Sequence, residues 1–278
     1  MAARPKIGKS WLALQIALAV ANGADVLNRR TTKGSALYLA LEDNQRRLQQ
    51  RLIKYRAGYW ADQSAHKRVE FETQWLRADE GGLDDINGWL IAHPDARLVV
   101  IDTLERFRAR RSERGNTYAE DYAALHTIKG LCQERQITVM IVHHTRKAAS
   151  EDPIDAISGT LGLGGAADGA LVLTRQRGSE QAELHLIGRD IPGEGAYAVT
   201  FDRSTCMWTM EGKASEIAKT RERQDILDLL KREAKPMSPK EIADELGRKP
   251  VTVRRLLQGL VAEGKADRDA KGGYTPLK

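Results

Sequence analysis

The triad Gly8-Lys9-Ser10, running directly into an amphipathic stretch, is the first place where residue types and spacing could do chemistry. A loop that leads into a helix N-terminus presents several backbone N–H groups to a phosphate, and the helix dipole adds positive potential. In the pattern G-x-x-x-x-G-K-[ST], glycine lets the backbone approach closely, lysine neutralises the outer phosphates and the hydroxyl ligates Mg²⁺. Here the segment reads Ala3-Arg-Pro-Lys-Ile-Gly-Lys-Ser10, with alanine where the first glycine of the pattern stands. Gly8, Lys9 and Ser10 are therefore the candidate phosphate and magnesium residues. The bland alternative is a basic tail entering a helix.

Acidic side chains stand at the ends of two apolar runs. Leu98-Val-Val-Ile-Asp102 ends in the carboxylate that would hold the Mg²⁺, with Thr103 as a polar neighbour. The competing reading is a buried strand ending in a turn-forming Asp. Leu39-Ala-Leu-Glu-Asp43 offers Glu42 to orient the attacking water, while Asp43 is expected to cap a helix over 44–56. Val142-His143-His144-Thr145 places two histidines at a further strand end, where one could sense the terminal phosphate; a purely structural pair is the other possibility. Arg175, Arg177 and Arg189 are candidates for an arginine finger supplied across a subunit interface, and Arg189 is the choice among them.

Those groups need a scaffold that gathers strand ends. Up to residue 210, short β-rich apolar runs alternate with longer amphipathic stretches, the pattern of an α/β sheet with crossover helices. The runs are residues 36–41, 98–102, 138–142 and 169–174. Continuous apolar runs suit parallel strands covered on both faces. Helical patterns fall at 9–22, 44–56, 82–92 and 118–135, and shorter antiparallel strands at 183–187, 196–201 and 207–210. Only Met1 and Ala2 precede the glycine-lysine loop, so the strand that should feed it is expected to be missing. That reading implies a natural start upstream of Met1.

The 278 residues are 41% hydrophobic and 29% charged, a composition that fits a soluble globular protein. No apolar stretch reaches the roughly 18 residues that would span a bilayer, which excludes a membrane class and points to the cytoplasm. Two cysteines, Cys132 and Cys206, support neither a disulfide framework nor a zinc site. A net charge of +6 leans toward a polyanionic partner, with basic residues crowded in 46–56, 106–114 and 248–255.

Residues 211–219 read as a linker, and 220–278 as a separate unit. Ser238-Pro-Lys-Glu241 is a capping box with proline at the first helical position. It opens a short helix over 239–246, followed by a second over 250–263 whose outer face carries Thr252, Arg254, Arg255 and Gln258. Gly264–Pro276 reads as a two-stranded wing. Such a second helix enters the DNA major groove in helix-turn-helix proteins; a protein-docking module of the same fold is the alternative. Thr252, Arg254 and Arg255 are the DNA candidates.

Taken together, residues 4–11, 37–43, 99–104 and 141–144 resemble the RecA-like P-loop ATPases of the plasmid RepA type, which are hexameric replicative helicases, and AAA relatives in phages and mobile elements. The segment 220–278 resembles winged-helix domains of regulators and replication proteins. The resemblance implies a RecA-like core over 1–210 plus a C-terminal winged helix-turn-helix. It implies ATP and Mg²⁺ at Lys6, Gly8, Lys9, Ser10 and Trp11, with Ser10 and Asp102 on the metal. It gives catalytic roles to Lys9, Glu42, Asp102, His143 or His144, and Arg189. It further implies a homo-oligomeric ring, with DNA-facing loops near 145–156 and 158–165 that carry Arg146 and Lys147. Two other readings stay open: a DNA-binding regulator whose degenerate ATPase domain only oligomerises, and a replication scaffold gated by ATP.

Overall fold

A computed structural model describes residues 1–59, 67–110, 117–145, 167–176, 178–188 and 191–277. The chain forms two compact units, Met1–Glu211 and Gly212–Lys278.

In the first unit, nine strands among the described residues make one sheet in the order β3-β2-β4-β5-β1-β6-β7-β8-β9. They are β1 (Ala2–Ala3), β2 (Ser35–Ala40), β3 (Val69–Glu72), β4 (Ala96–Asp102), β5 (Thr138–His144), β6 (Gly169–Arg175), β7 (Gln181–Gly188), β8 (Gly195–Asp202) and β9 (Met207–Lys213). From β3 to β6 each pairing is parallel; β6–β7 and β7–β8 are antiparallel. Helices α1 (Lys9–Asn22), α2 (Gln45–Tyr59), α3 (Gly82–Ala92), α4 (Leu104–Phe107) and α5 (Thr117–Arg135) connect the parallel strands.

Side-chain alternation along the strands explains why both faces need cover. Leu37, Leu39, Val99 and Ile101 pack with Ile86, Trp89 and Leu90 of α3 and Leu125 and Ile128 of α5. Their neighbours Ala36, Tyr38, Ala40, Leu98 and Val100 pack on the opposite side with Ala13, Leu14, Ala17, Leu18 and Ala21 of α1. A third cluster joins the antiparallel half, through Leu184, Leu186, Val199, Phe201 and Trp208, to Ile7 and Leu12. Helix α1 ends where Gly23 adopts the left-handed conformation (φ 68°). Its N–H bonds to Val20 O and that of Ala24 to Ala19 O, a Schellman closure.

The strand expected to be missing is present as a stub. Ala2 and Ala3 lie between β5 and β6, opposite His143 and His144 on one side and Val172 and Leu173 on the other. Met1 O accepts from His143 N (2.9 Å) and Ala3 O from Thr145 N (3.1 Å). Backbone groups at the top of β5 and β6 would otherwise lack partners, and two alanines are small enough to enter the buried slot.

Short elements escaped the sequence reading. Val69-Glu-Phe-Glu72 is a short edge strand whose alternation is too brief to stand out, and Leu104–Phe107 is a single turn. Residues 211–219, read as a linker, are instead the end of β9 and the opening turns of a long helix, α6 (Ala214–Glu233). Small and charged residues there match a solvent-facing helix as well as they match a connector.

The second unit continues with α7 (Pro239–Glu245), α8 (Pro250–Ala262), β10 (Ala266–Arg268) and β11 (Tyr274–Pro276). Both halves of the capping box form: Ser238 Oγ accepts from Glu241 N, and Glu241 Oε2 accepts from Ser238 N at 2.7 Å. Strands β10 and β11 pair antiparallel as a wing. Met237 pairs with Tyr274 beside them. Ile226, Leu230, Ile242, Val253, Leu257 and Leu260 are the apolar centre.

Candidate functional site

Loop 4–8 leaves β1 and turns into α1, so the first N–H groups of that helix face the carboxyl ends of the parallel strands, where ligands of open α/β sheets bind. Gly8 is the N-cap with φ 110°, a conformation that L side chains rarely adopt. A Cβ there would also come within 3.0 Å of the Trp208 ring, so both backbone and space require glycine.

Lys9 is buried, with 5% exposure. Its Nζ lies 2.8 Å from His144 Nδ1. Burial holds the Lys9 pKa below its usual 10.5, against the pull of Asp102 and Glu42. His144 Nε2 lies 3.5 Å from Glu42 Oε2, and Thr103 Oγ1 donates to Glu42 Oε1 at 2.8 Å. Burial raises the Glu42 pKa, yet the Thr103 hydrogen bond and His144 outweigh it, and the net value falls below 4.5. Asp102 is buried at the end of β4. Burial pushes its pKa above 3.8, opposed by hydrogen bonds from Ser10 and Tyr38 and by the charge of Lys9. The Tyr38 phenol donates to Asp102 Oδ2 at 2.9 Å.

Three strand ends and the loop thus bring Lys9, Ser10, Glu42, Asp102 and His144 together. Chemically, the set offers a desolvated ammonium and a helix N-terminus for phosphate, and a hydroxyl beside a carboxylate, hard oxygen donors that suit Mg²⁺. It also offers an ionised carboxylate positioned by a threonine. These residues fit a nucleoside triphosphate with its metal.

Of the two histidines, His144 meets Lys9 and Glu42; His143 sits one residue earlier on a strand of alternating faces. Lys6 is exposed, with φ 65°. The Trp11 ring stacks on Tyr55 at 6.3 Å, beneath the Arg51 guanidinium at 5.4 Å. Asp43 does not cap α2. That role falls to Asn44, whose Oδ1 accepts from Arg47 N at 2.8 Å. Asp43 stands one residue too early and pairs instead with Arg47 and Arg51. Arg146, Lys147, Arg177 and Arg189 lie outside the described residues. Arg175 lies over Phe201 and Trp208, at 5.3 and 5.5 Å.

Sequence reasoning passed over Tyr38, Gln15 and Trp208. The first two carried a signal: each is a polar-tipped residue inside an apolar run, and such groups are buried only with partners.

In the second unit, Arg254 and Arg255 are exposed on α8 and Thr252 is half-buried. Arg248, from the same basic run, is instead tied to Asp225 at 2.6 Å and to Glu222 O.

This fold, with its loop and carboxylates, defines a RecA-like P-loop ATPase core. Residues 1–150 match the family model described as AAA domain, and the chain belongs to that family. Residues 225–270 match the IclR helix-turn-helix domain, in keeping with the winged helix. Among solved structures, the chain is similar to an ATPase domain at 14% identity, with 75% of this chain and 82% of that one covered and a TM-score of 0.60. A DnaB-like replicative helicase, solved together with its interactions with primase, is 14% identical over 75% of this chain and 56% of its own, with a TM-score of 0.59. A KaiC-like protein, PH0186 from Pyrococcus horikoshii, is 14% identical over 75% and 86%, with a TM-score of 0.54. At such identities the likeness is one of fold. Among the described residues, no helix is long and apolar enough to cross a membrane.

Proposed function

We propose that this chain hydrolyses ATP with Mg²⁺ and couples turnover to DNA, as an oligomeric, helicase-like motor of mobile-element replication. The observation that carries the reading is the meeting of Lys9, Glu42, Asp102 and His144 at the head of the P-loop. Lys9 and the α1 N-terminus bind the phosphates, and Ser10 and Asp102 hold the metal, which offsets phosphate charge when bound. Glu42 orients the attacking water and takes its proton. Thr103 and His144 fix the direction of that carboxylate. A phosphate arriving at Lys9 competes with His144 for the ammonium, so His144 senses whether the site is filled. The exposed face of α8, with Thr252, Arg254 and Arg255, is the DNA-contacting surface; two arginines on one helical turn suit phosphate contact more than base readout. The likeness to a replicative helicase fold supports a ring.

The test is ATP turnover with and without DNA. The reading expects turnover that rises when DNA is added and vanishes in Lys9→Ala. Turnover that is unchanged in Lys9→Ala would place the chemistry elsewhere.

A further inference from the structure

Trp208 belongs to β9, at the far edge of the sheet from β3, yet its side chain ends at the P-loop. Its indole N–H donates to Gly8 O at 3.1 Å. The same carbonyl accepts the first helical bond of α1, from Leu12 N at 3.1 Å. One oxygen therefore receives two donors, which fixes the plane of the peptide that joins Gly8 to Lys9. The N–H on the other side of that peptide is one of the free donors of the helix N-terminus.

The tryptophan is itself held. Gln15, buried on α1 two turns after Gly8, uses its side-chain amide as a strand would: Nε2 donates to Trp208 O and Oε1 accepts from Trp208 N, both at 2.9 Å. Phe201 packs on the indole with ring centroids 4.9 Å apart, and the Arg175 guanidinium lies over it at 5.5 Å. The indole is 1% exposed, and it fills the space that Gly8 leaves by lacking a Cβ.

We propose that Trp208 is a positioning residue for the nucleotide: its indole N–H sets the Gly8 carbonyl, so that the phosphate-facing amides are aligned before the ligand arrives. This rests on the P-loop reading above. A loop aligned in advance loses less freedom on binding, and the difference appears as affinity. With β1 only two residues long, the indole and Gln15 supply orientation on the α1 side of the loop.

The experiment is calorimetric titration of MgADP into the full chain, together with thermal melting. Trp208→Phe keeps an aromatic ring against Phe201 and removes the donor. Because Phe is smaller, a second variant replaces Trp208 with β-(3-benzothienyl)alanine, which keeps the bicyclic shape and puts sulfur in place of N–H. Loss of one hydrogen bond predicts a Kd raised about three- to tenfold in the benzothienyl variant, with a melting curve matching wild type. As a readout that a merely structural role would not move, the Trp208 indole N–H resonance should shift on MgADP addition in wild type and stay fixed in Lys9→Ala. An unchanged Kd in the benzothienyl variant, while Lys9→Ala binds more weakly, overturns the role of Trp208 alone. MgADP binding as tight in Lys9→Ala as in wild type overturns the P-loop reading, and this inference with it.

Discussion

The Lys9 ammonium sits 2.8 Å from Nδ1 of His144, a residue 135 positions away in the chain. Strand β5 ends beside the P-loop because β1, the stub that feeds the loop, pairs directly with it. A protonated lysine has no lone pair to accept with, so His144 Nδ1 must be the acceptor, and its Nε2–H then points toward Glu42. The contact links the Lys9 ammonium to the Glu42 carboxylate through one imidazole.

Glu42→Gln keeps the shape of the site and removes the proposed base. MgATP affinity should stay within a few-fold of wild type, while the single-turnover rate falls about a hundredfold or more. Because Thr103 and His144 hold the Glu42 pKa below 4.5, the carboxylate stays ionised down to that pH. Any acid limb due to Glu42 should therefore lie below 4.5.

Burial lowers the Lys9 pKa from 10.5. The folded chain then releases this proton at lower pH than the unfolded chain does. Between the two values the unfolded state binds more protons, so stability rises with pH. The charge proposed to grip phosphate is lost over the same interval. MgATP affinity should thus decline on the alkaline side before pH 10.5, and Lys9→Arg should flatten the decline. A decline of the same shape in both proteins would assign it to another group.

Arg254→Ala with Arg255→Ala should weaken binding to duplex DNA of any sequence. The slope of log affinity against log salt should fall by about two, one per phosphate contact. Unchanged affinity and slope would make α8 a docking helix rather than a DNA-facing one.

Leu257 is fully buried at the centre of the second unit. Leu257→Ala should cost about 2–5 kcal/mol of that unit's stability, measured by denaturant unfolding, and leave ATP turnover without DNA near wild type.

Most of the sheet was legible, because buried parallel strands such as Leu98–Asp102 are continuous apolar runs ending in a polar residue. The C-terminal unit was legible through its capping box and the apolar spacing of α8. What escaped was set by contacts distant in sequence. Nothing near residues 2–3 says that two alanines suffice to pair β5 with β6. Nor does anything near Trp208 point to Gly8, 200 positions earlier. Asp43 was misread because the cap lies one position on, at Asn44, and a sequence pattern fixes helix ends only to within a residue or two. Gln15 gave a usable hint: an amide in the middle of an apolar helix demands partners, and its partners lie on β9.

The most direct test is equilibrium binding of labelled MgATP to wild-type protein and to Lys9→Ala. The account predicts saturable binding that weakens about ten- to a hundredfold in the variant, as loss of a charged hydrogen bond to phosphate requires. Equal affinity in the two proteins would contradict it.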